Sequence, residues 1–225
     1  MKRNTRKFGN EPKPSTGFHI QPKNQKQEML LSSIRRYDIT VAIGPAGTGK
    51  TYCSAMQAAN LFLKGGYDTL VLTRANVPTG KSLGFFPGTV EEKLAPWLAP
   101  ITSVLKKAFG VNHYENLVHS RKIILQPLEV IRGMSYEKSI IMVDEAQNLD
   151  FEEIKAITTR IGEGSKMVLM GDQTQSDVGE GKSLMKFVGM CRRCNIDVPV
   201  VEFDVDDIVR SDIVGRLVRM YMTEK

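Results

Sequence analysis

The chain has 225 residues, a net charge of +6, and a composition that is 41% hydrophobic and 25% charged. These values are typical of a globular protein and exclude the disordered and fibrous classes. No apolar run approaches the ~20 residues that cross a bilayer, and no apolar stretch follows the charged N-terminus as it would in a signal peptide. Three cysteines are too few for a disulfide framework. We therefore expect a cytoplasmic protein with no membrane partner.

The positive charge is concentrated at the N-terminus. Residues 1–26 contain seven basic side chains and one acidic side chain, so they carry the whole net charge. The same stretch is rich in Lys, Pro, Asn and Gln, which is typical of a flexible arm. We expect a basic arm over residues 1–20 and a folded domain over residues 21–225.

Helices and strands alternate along the predicted domain. The first four elements are a helix over residues 28–36, a strand over 39–43, a helix over 52–64 and a strand over 69–73. Between residues 75 and 100 there are four prolines and three glycines. We expect a long loop there, followed by a helix at about residues 100–109.

The second half continues the alternation. Strands are predicted over residues 122–125, 139–143, 167–170 and 198–203, and helices over about 151–161, 182–194 and 211–223. The strands are continuous apolar runs, which indicates that both faces of the sheet are buried. The pattern predicts an α/β protein, with a parallel β-sheet flanked by helices.

A glycine-rich stretch follows the first predicted strand and matches G-x-x-x-x-G-K-[ST] at every position. Its glycines let the backbone wrap so that successive N–H groups point at a phosphate chain, and the next helix adds its positive N-terminal end. Lys50 would reach the β- and γ-phosphates and the Thr51 hydroxyl would bind Mg²⁺. A glycine turn without function is the alternative, which the strand and helix context disfavours. The residues are Gly44, Pro45, Ala46, Gly47, Thr48, Gly49, Lys50 and Thr51.

A second motif has the form of a Walker B. The apolar run at residues 140–143 ends in Asp144 and Glu145, and such a strand delivers a carboxylate beside the phosphate loop. We expect Asp144 to hold Mg²⁺ through water. Glu145 can orient and deprotonate an attacking water, which hydrolysis requires and transfer to a bound acceptor does not. Two acids after a strand also form a common solvated turn, but the phosphate loop upstream favours the catalytic interpretation.

A third strand run ends in a similar way. Residues 167–170 are followed by Gly171, Asp172, Gln173, Thr174 and Gln175. In ATPases that use hydrolysis to move a partner, a polar residue at this edge senses the γ-phosphate. We select Gln175 for that role and leave Gln173 as an ordinary turn residue.

Taken in order, these motifs resemble those of the PhoH-like proteins, the phosphate-starvation-inducible ATPases of bacteria and their phages. The resemblance runs from about residue 20 to the C-terminus. The proline-rich segment and the string Asp-Glu-Ala-Gln-Asn are its most specific parts. The matching segments are residues 44–51, 72–74, 83–88, 131–133, 143–148, 159–162, 164–166, 171–175 and 207–210.

The resemblance implies a single RecA-like domain related to superfamily 1 helicases, which binds and hydrolyses ATP and is linked to RNA or single-stranded DNA. By the family match, Gln27, or Gln25, resembles the glutamine that reads adenine. Arg74 occupies a segment that faces nucleic acid, and Arg210 resembles an arginine that approaches the γ-phosphate. The chain departs from the family pattern after Arg210, where Ser-Asp replaces a His-Pro pair.

One RecA-like domain holds only half of the ATP site of a superfamily 1 helicase, in which a second domain supplies an arginine worth about 10³–10⁵ in rate. We expect only about 200 ordered residues and therefore no second domain. The arginine would come from a neighbouring subunit or from the C-terminal segment, so we expect a ring-like homo-oligomer, such as a hexamer. The candidate donors are Arg132, Arg160 and Arg210.

The basic arm and the loops around residues 74–93 are the expected contacts for nucleic acid, since their positive charges would neutralise phosphates and make binding salt-dependent. A basic tail is also commonly a solvated arm. Two other functions stay open at this point. One is a nucleotide-gated RNA-binding adaptor without sustained motor activity, and the other is a small-molecule kinase, which Glu145 and Gln175 disfavour.

Overall fold

The computed structural model describes residues 17–75, 90–172 and 182–210, together with residues 213, 215–217 and 220. Most of the predicted basic arm and the segment that contains Gln175 lie outside this range. Within it, Phe18 and Ile20 pack against the core, so the ordered part includes residues ahead of α1. The boundary between an arm and a domain stays a prediction.

The helices and strands follow the predicted alternation. Asn24 caps the first helix, because its side chain accepts a hydrogen bond from the Gln27 amide. The first four elements are α1 (Gln25–Arg36), β1 (Ile39–Ile43), α2 (Lys50–Leu63) and β2 (Thr69–Arg74). The others are α3 (Val90–Phe109), α4 (Val111–His119), β3 (Ile123–Leu125), α5 (Leu128–Ile131), β4 (Ser139–Asp144), α6 (Phe151–Thr158), β5 (Lys166–Gly171), α7 (Lys182–Arg193) and β6 (Val200–Glu202), with short 3-10 helices at Ala146–Asn148 and Val205–Asp207.

The six strands form one parallel sheet in the order β3-β2-β4-β5-β1-β6. Alternate side chains of its central strands enter two apolar layers. Leu70 and Met142 face α1 to α4, whereas Val71 and Val143 face α5 to α7. Both faces are buried, as the continuous apolar runs predicted. The predicted fold class, a parallel α/β sheet flanked by helices, is confirmed.

The prediction for the middle of the chain was wrong. Helix α3 begins at residue 90, about ten residues earlier than expected, and it contains Pro96 and Pro100. Leu94, Leu98 and Ile101 are 4% exposed or less and lie on one side of that helix. Their burial outweighs the backbone hydrogen bonds that the prolines remove. Helices α4 and α5 were not predicted.

Candidate nucleotide-binding site

The glycine-rich loop connects β1 to α2, as expected. Gly44, Gly47 and Gly49 have φ values of 140°, 90° and 90°, a region that favours glycine. Space is also limiting, because a Cβ on Gly44 would lie 2.3 Å from the carbonyl oxygen of Phe203. A Cβ on Gly49 would lie 2.6 Å from the side-chain nitrogen of Gln27. The loop therefore needs glycine for both its backbone conformation and its packing.

The ammonium group of Lys50 lies inside this loop. Its Nζ donates hydrogen bonds to the carbonyl oxygens of Gly44, at 2.6 Å, and Pro45, at 2.8 Å. Burial lowers the pKa of Lys50, while the negative charges of Asp172, Asp144 and Glu145 act in the opposite direction. The Lys50 ammonium group is thus partly desolvated, and the three nearby acidic side chains favour its charged form.

The two Walker B acids lie where β4 ends. Asp144 is buried, and burial raises its pKa, with the Arg74 charge as the largest opposing effect. Glu145 follows in the left-handed region at φ 52°, which is uncommon for a residue other than glycine. The tight turn there brings both carboxyl groups to the same edge of the sheet as the phosphate loop.

Arg74 ends β2 and lies beside β4, in register with Asp144. Its Nη2 donates to Oε1 of Glu145 at 2.8 Å, and its Nη1 is 3.6 Å from Oδ2 of Asp144. Nη1 also donates to the carbonyl oxygen of Trp97 in α3 at 2.9 Å. The family resemblance assigned Arg74 to a segment that faces nucleic acid, and the structure places its side chain against Asp144 and Glu145.

Gln147 is a site residue to which the sequence analysis gave no role. It is 2% exposed, and its Nε2 donates to Oε2 of Glu145 at 2.6 Å. Its Oε1 accepts a hydrogen bond from the backbone amide of Asp172, after β5, at 2.9 Å. The only sequence signal for this residue was its place in the string Asp-Glu-Ala-Gln-Asn.

Gln27 lies under the phosphate loop. Its Nε2 donates to the carbonyl oxygen of Thr48 at 2.9 Å, and its Oε1 accepts from the Lys23 amide at 2.8 Å. The side chain is 3% exposed. Both ends of the amide group are therefore engaged with backbone, and the reading of adenine by Gln27, or by Gln25, stays a prediction.

A cavity of about 540 Å³ opens at the carboxyl edge of the sheet, between the loop and the acids. Both polar and apolar side chains line it, as is usual for small-molecule sites. Its apolar lining residues include Tyr52, Pro100 and Val104. Five of the predicted catalytic or metal-binding residues line this one cavity: Lys50, Thr51, Asp144, Glu145 and Arg210.

The three candidate arginines lie in different places. Arg210 lies over the phosphate loop, where its Cδ is 3.1 Å from the position of a Cβ on Gly47, and the preceding amide donates to the Gly47 carbonyl oxygen. Arg132 forms an ion pair with Glu153. Neither Arg132 nor Arg160 lines the cavity described above.

The donor set suits a hard divalent cation. Asp144 offers a carboxylate and Thr51 a hydroxyl, and both side chains line the same cavity. Oxygen ligands of this kind are those that Mg²⁺ prefers, usually together with waters and substrate phosphates. These two residues therefore fit the predicted metal site.

The strand order and the phosphate loop after a central strand define the class of P-loop NTPases. In this arrangement β5 lies between the loop strand β1 and the Walker B strand β4. A family model described as PhoH-like protein matches residues 19–222. The chain belongs to the PhoH-like protein family, which confirms the resemblance found in its motifs.

Curated relatives have the same family name. The chain is 35% identical over 210 residues to the PhoH-like protein of Bacillus subtilis (strain 168), covering 93% of this chain and 66% of that protein. It is 31% identical over 206 residues to Protein PhoH of Escherichia coli (strain K12), covering 90% and 58%. The chain therefore spans less than two thirds of the length of either relative.

Solved structures share the fold at low sequence identity. The large terminase from a thermophilic bacteriophage superposes with a TM-score of 0.55 at 13% identity, covering 89% of this chain and 51% of that chain. A structure of the same terminase in complex with ADP gives 0.53 at 15% identity, covering 88% and 50%. At such identities the likeness concerns the fold alone. No described helix is long and apolar enough to cross a membrane.

Proposed function

We propose that this protein binds ATP with Mg²⁺ and hydrolyses it. The observation that carries the proposal is the convergence of Lys50, Thr51, Asp144 and Glu145 on one cavity. Phosphoryl transfer to water uses four groups of this kind: a cation, a hydroxyl, a carboxylate that binds metal, and a second carboxylate. Nucleotide binding is also supported by the terminase of similar fold, which was solved with ADP.

Each group in the cavity has a separate role in this proposal. The loop amides and Lys50 bind the phosphates, and Thr51 and Asp144 hold the metal. Bound Mg²⁺ would neutralise charge on the β- and γ-phosphates. Glu145 accepts a proton from water as the water oxygen bonds to the γ-phosphorus. The bond from that phosphorus to the β–γ bridging oxygen then breaks, and ADP and inorganic phosphate are the products.

Three further roles belong to the same proposal. Gln27 would read adenine, Gln175 would sense the γ-phosphate, and Arg210 would approach that phosphate from its position over the loop. The folded unit would cover residues 21–225 and the basic arm residues 1–20. A cytoplasmic location agrees with the three free cysteines.

We further propose that ATP turnover depends on RNA or single-stranded DNA, in an oligomer such as a hexamer. The net charge of +6 in residues 1–26 supports a sequence-independent nucleic-acid contact. Arg132, Arg160 or Arg210 of one subunit would complete the site of the next. An adaptor that binds RNA when ATP is bound, without sustained turnover, is the second candidate. A kinase is disfavoured because transfer to a bound acceptor has no need of Glu145.

The test measures ATP turnover with Mg²⁺, with and without RNA and single-stranded DNA, on a sample of known oligomeric state. Lys50→Ala and Glu145→Gln should each lower kcat by about 100-fold or more. Glu145→Gln should still bind ATP, because its change affects the water and not the phosphate loop. The exposed ion-pair residue Lys155 provides the control, and Lys155→Gln should keep wild-type turnover.

Each proposal has its own contrary outcome. Turnover in Glu145→Gln equal to wild type would overturn the role of that carboxylate. A monomer with full activity at micromolar concentration would overturn the oligomer. A single turnover without further hydrolysis would favour the adaptor over the motor.

A further inference from the structure

Each carboxylate oxygen of Glu145 accepts a hydrogen bond from a different side chain. Arg74 donates to Oε1 at 2.8 Å and Gln147 donates to Oε2 at 2.6 Å. The Glu145 backbone adopts φ 52°, a conformation that costs a residue with a side chain about 1 kcal/mol or more. Strain of this kind persists where surrounding contacts fix it, and it is concentrated at functional sites.

The Arg74 guanidinium is itself fixed from several directions. The strand pairing of β2 with β4 sets its distance to the acids, and the amide of Ala75 donates to the Asp144 carbonyl oxygen at 3.0 Å. Nη1 of Arg74 donates to the Trp97 carbonyl oxygen in α3. Its side chain is 19% exposed. A planar guanidinium held in this way can define the orientation of a carboxylate, which a flexible ammonium cannot do equally well.

We propose that Arg74 is a positioning residue for Glu145 and that Gln147 is a second one. The two side chains and their hydrogen bonds to the Glu145 carboxylate are called the clamp below. The inference rests on the proposed hydrolysis, since it assigns how the base of that reaction is oriented. Each carboxylate oxygen has two acceptor positions, so each keeps one for water while the clamp is made. The clamp connects the ends of three strands, because Arg74 is the last residue of β2, Glu145 follows β4, and Gln147 bonds the amide that follows β5.

If the clamp orients Glu145, substitutions that remove it should lower kcat and leave the KM for ATP nearly unchanged. Arg74→Gln should lower kcat by about 10- to 100-fold, the usual range for residues that orient a catalytic group, while KM stays within about 3-fold. Arg74→Lys keeps the charge beside the acids and should recover part of the loss. Gln147→Met keeps the volume and removes both hydrogen bonds, so it should lower kcat in the same way.

A double-mutant cycle separates positioning from a general structural effect. In the Glu145→Gln background, Arg74→Gln should cause little further loss in kcat, because the group that it orients is already disabled. Thermal unfolding of each variant, with Lys155→Gln as control, identifies any loss of fold. If Arg74→Gln does not fold, Arg74→Lys and Gln147→Met carry the same test.

The outcomes distinguish the clamp from the reaction it serves. No hydrolysis by the wild-type protein would overturn both proposals. Wild-type hydrolysis with unchanged kcat in Arg74→Gln and Gln147→Met would overturn the clamp alone. A raised KM at constant kcat would also overturn it, because Arg74 would then bind nucleotide in place of orienting Glu145.

Discussion

The two sides of the cavity are built in different ways. The loop side, residues 44–51, has several hydrogen bonds between near neighbours in sequence, together with longer-range bonds to Gln27, Gly171 and Val209. Lys50 bonds the carbonyl oxygens of Gly44 and Pro45, and the Thr48 hydroxyl also bonds Pro45. The conformation of this side is therefore set in large part by its own glycines and short-range bonds, and the longer-range bonds attach it to the rest of the fold.

The acid side, which consists of Arg74, Asp144, Glu145, Gln147 and Asp172, is held over long sequence separations. Its central ion pair joins residues 71 apart, and the bond from the Asp172 amide to Gln147 joins residues 25 apart. These contacts exist only when β2, β4 and β5 pair in the correct register. The comparison teaches that the glycine-rich loop depends mainly on its own sequence, whereas the geometry of the acidic groups depends on the pairing of the whole sheet.

Among substitutions on the loop side, we expect the largest effect from a change at Gly44. Gly44→Ala would place a Cβ 2.3 Å from the Phe203 carbonyl oxygen at φ 140°. We expect a loss of about 3 kcal/mol or more in the free energy of unfolding, together with loss of ATP binding. Denaturant unfolding and a nucleotide-binding assay measure the two effects.

Gly65 provides the matched control. It also has positive φ, at 79°, but no atom lies within 4 Å of an added Cβ. Gly65→Ala should therefore cost only about 1–2 kcal/mol, the backbone penalty alone. Equal losses in the two variants would contradict the role given to the crowding by Phe203.

Gln27 tests whether the loop side depends on α1. Gln27→Ala removes the buried bond to Thr48 and leaves that carbonyl oxygen without its side-chain donor. We expect a loss of about 1–3 kcal/mol in the free energy of unfolding. Met29→Ala, in the same helix at a position 46% exposed, should change it by less than about 0.5 kcal/mol.

The same variant separates two roles for Gln27. If the residue supports the loop, Gln27→Ala lowers stability in the absence of nucleotide. Unchanged stability with a smaller preference for ATP over GTP would instead favour adenine reading. Unfolding curves and the KM for both nucleotides give the answer.

Sequence reasoning succeeded where the signal was local. The loop pattern at residues 44–51 and the acids after the apolar run at 140–143 required only their own neighbours to be recognised. The parallel sheet also followed from short apolar runs, because burial on both faces removes the alternation of polar residues. These features predicted the fold class and, with the family match for Arg210, five of the residues that line the cavity.

It failed where distant contacts decide the structure. Pro96 and Pro100 indicated a loop, yet the burial of Leu98 and Ile101 maintains a helix through them. Gln147 lies two residues after Glu145 and donates to its carboxylate, but the sheet alone brings the Asp172 amide to its other end. No spacing rule connects Gln147 with Asp172 or Arg74 with Glu145. The acid side could therefore be recognised in part, but its long-range hydrogen bonds could not be derived.

The smallest expected effect concerns the thiols, and it tests how firmly the loop side is closed. Cys53 lies one turn into α2 and is 1% exposed, and burial raises its pKa to about 11. Cys191 is also buried with a raised pKa, whereas Cys194 is exposed.

Because the thiolate is the reactive form, a disulfide reagent at pH 8 should modify only Cys194 quickly. Cys194→Ser should abolish the fast reaction. A fast reaction that Cys53→Ser removes would instead mean that the helix after the loop opens readily, and burial in the folded state would then not protect this thiol.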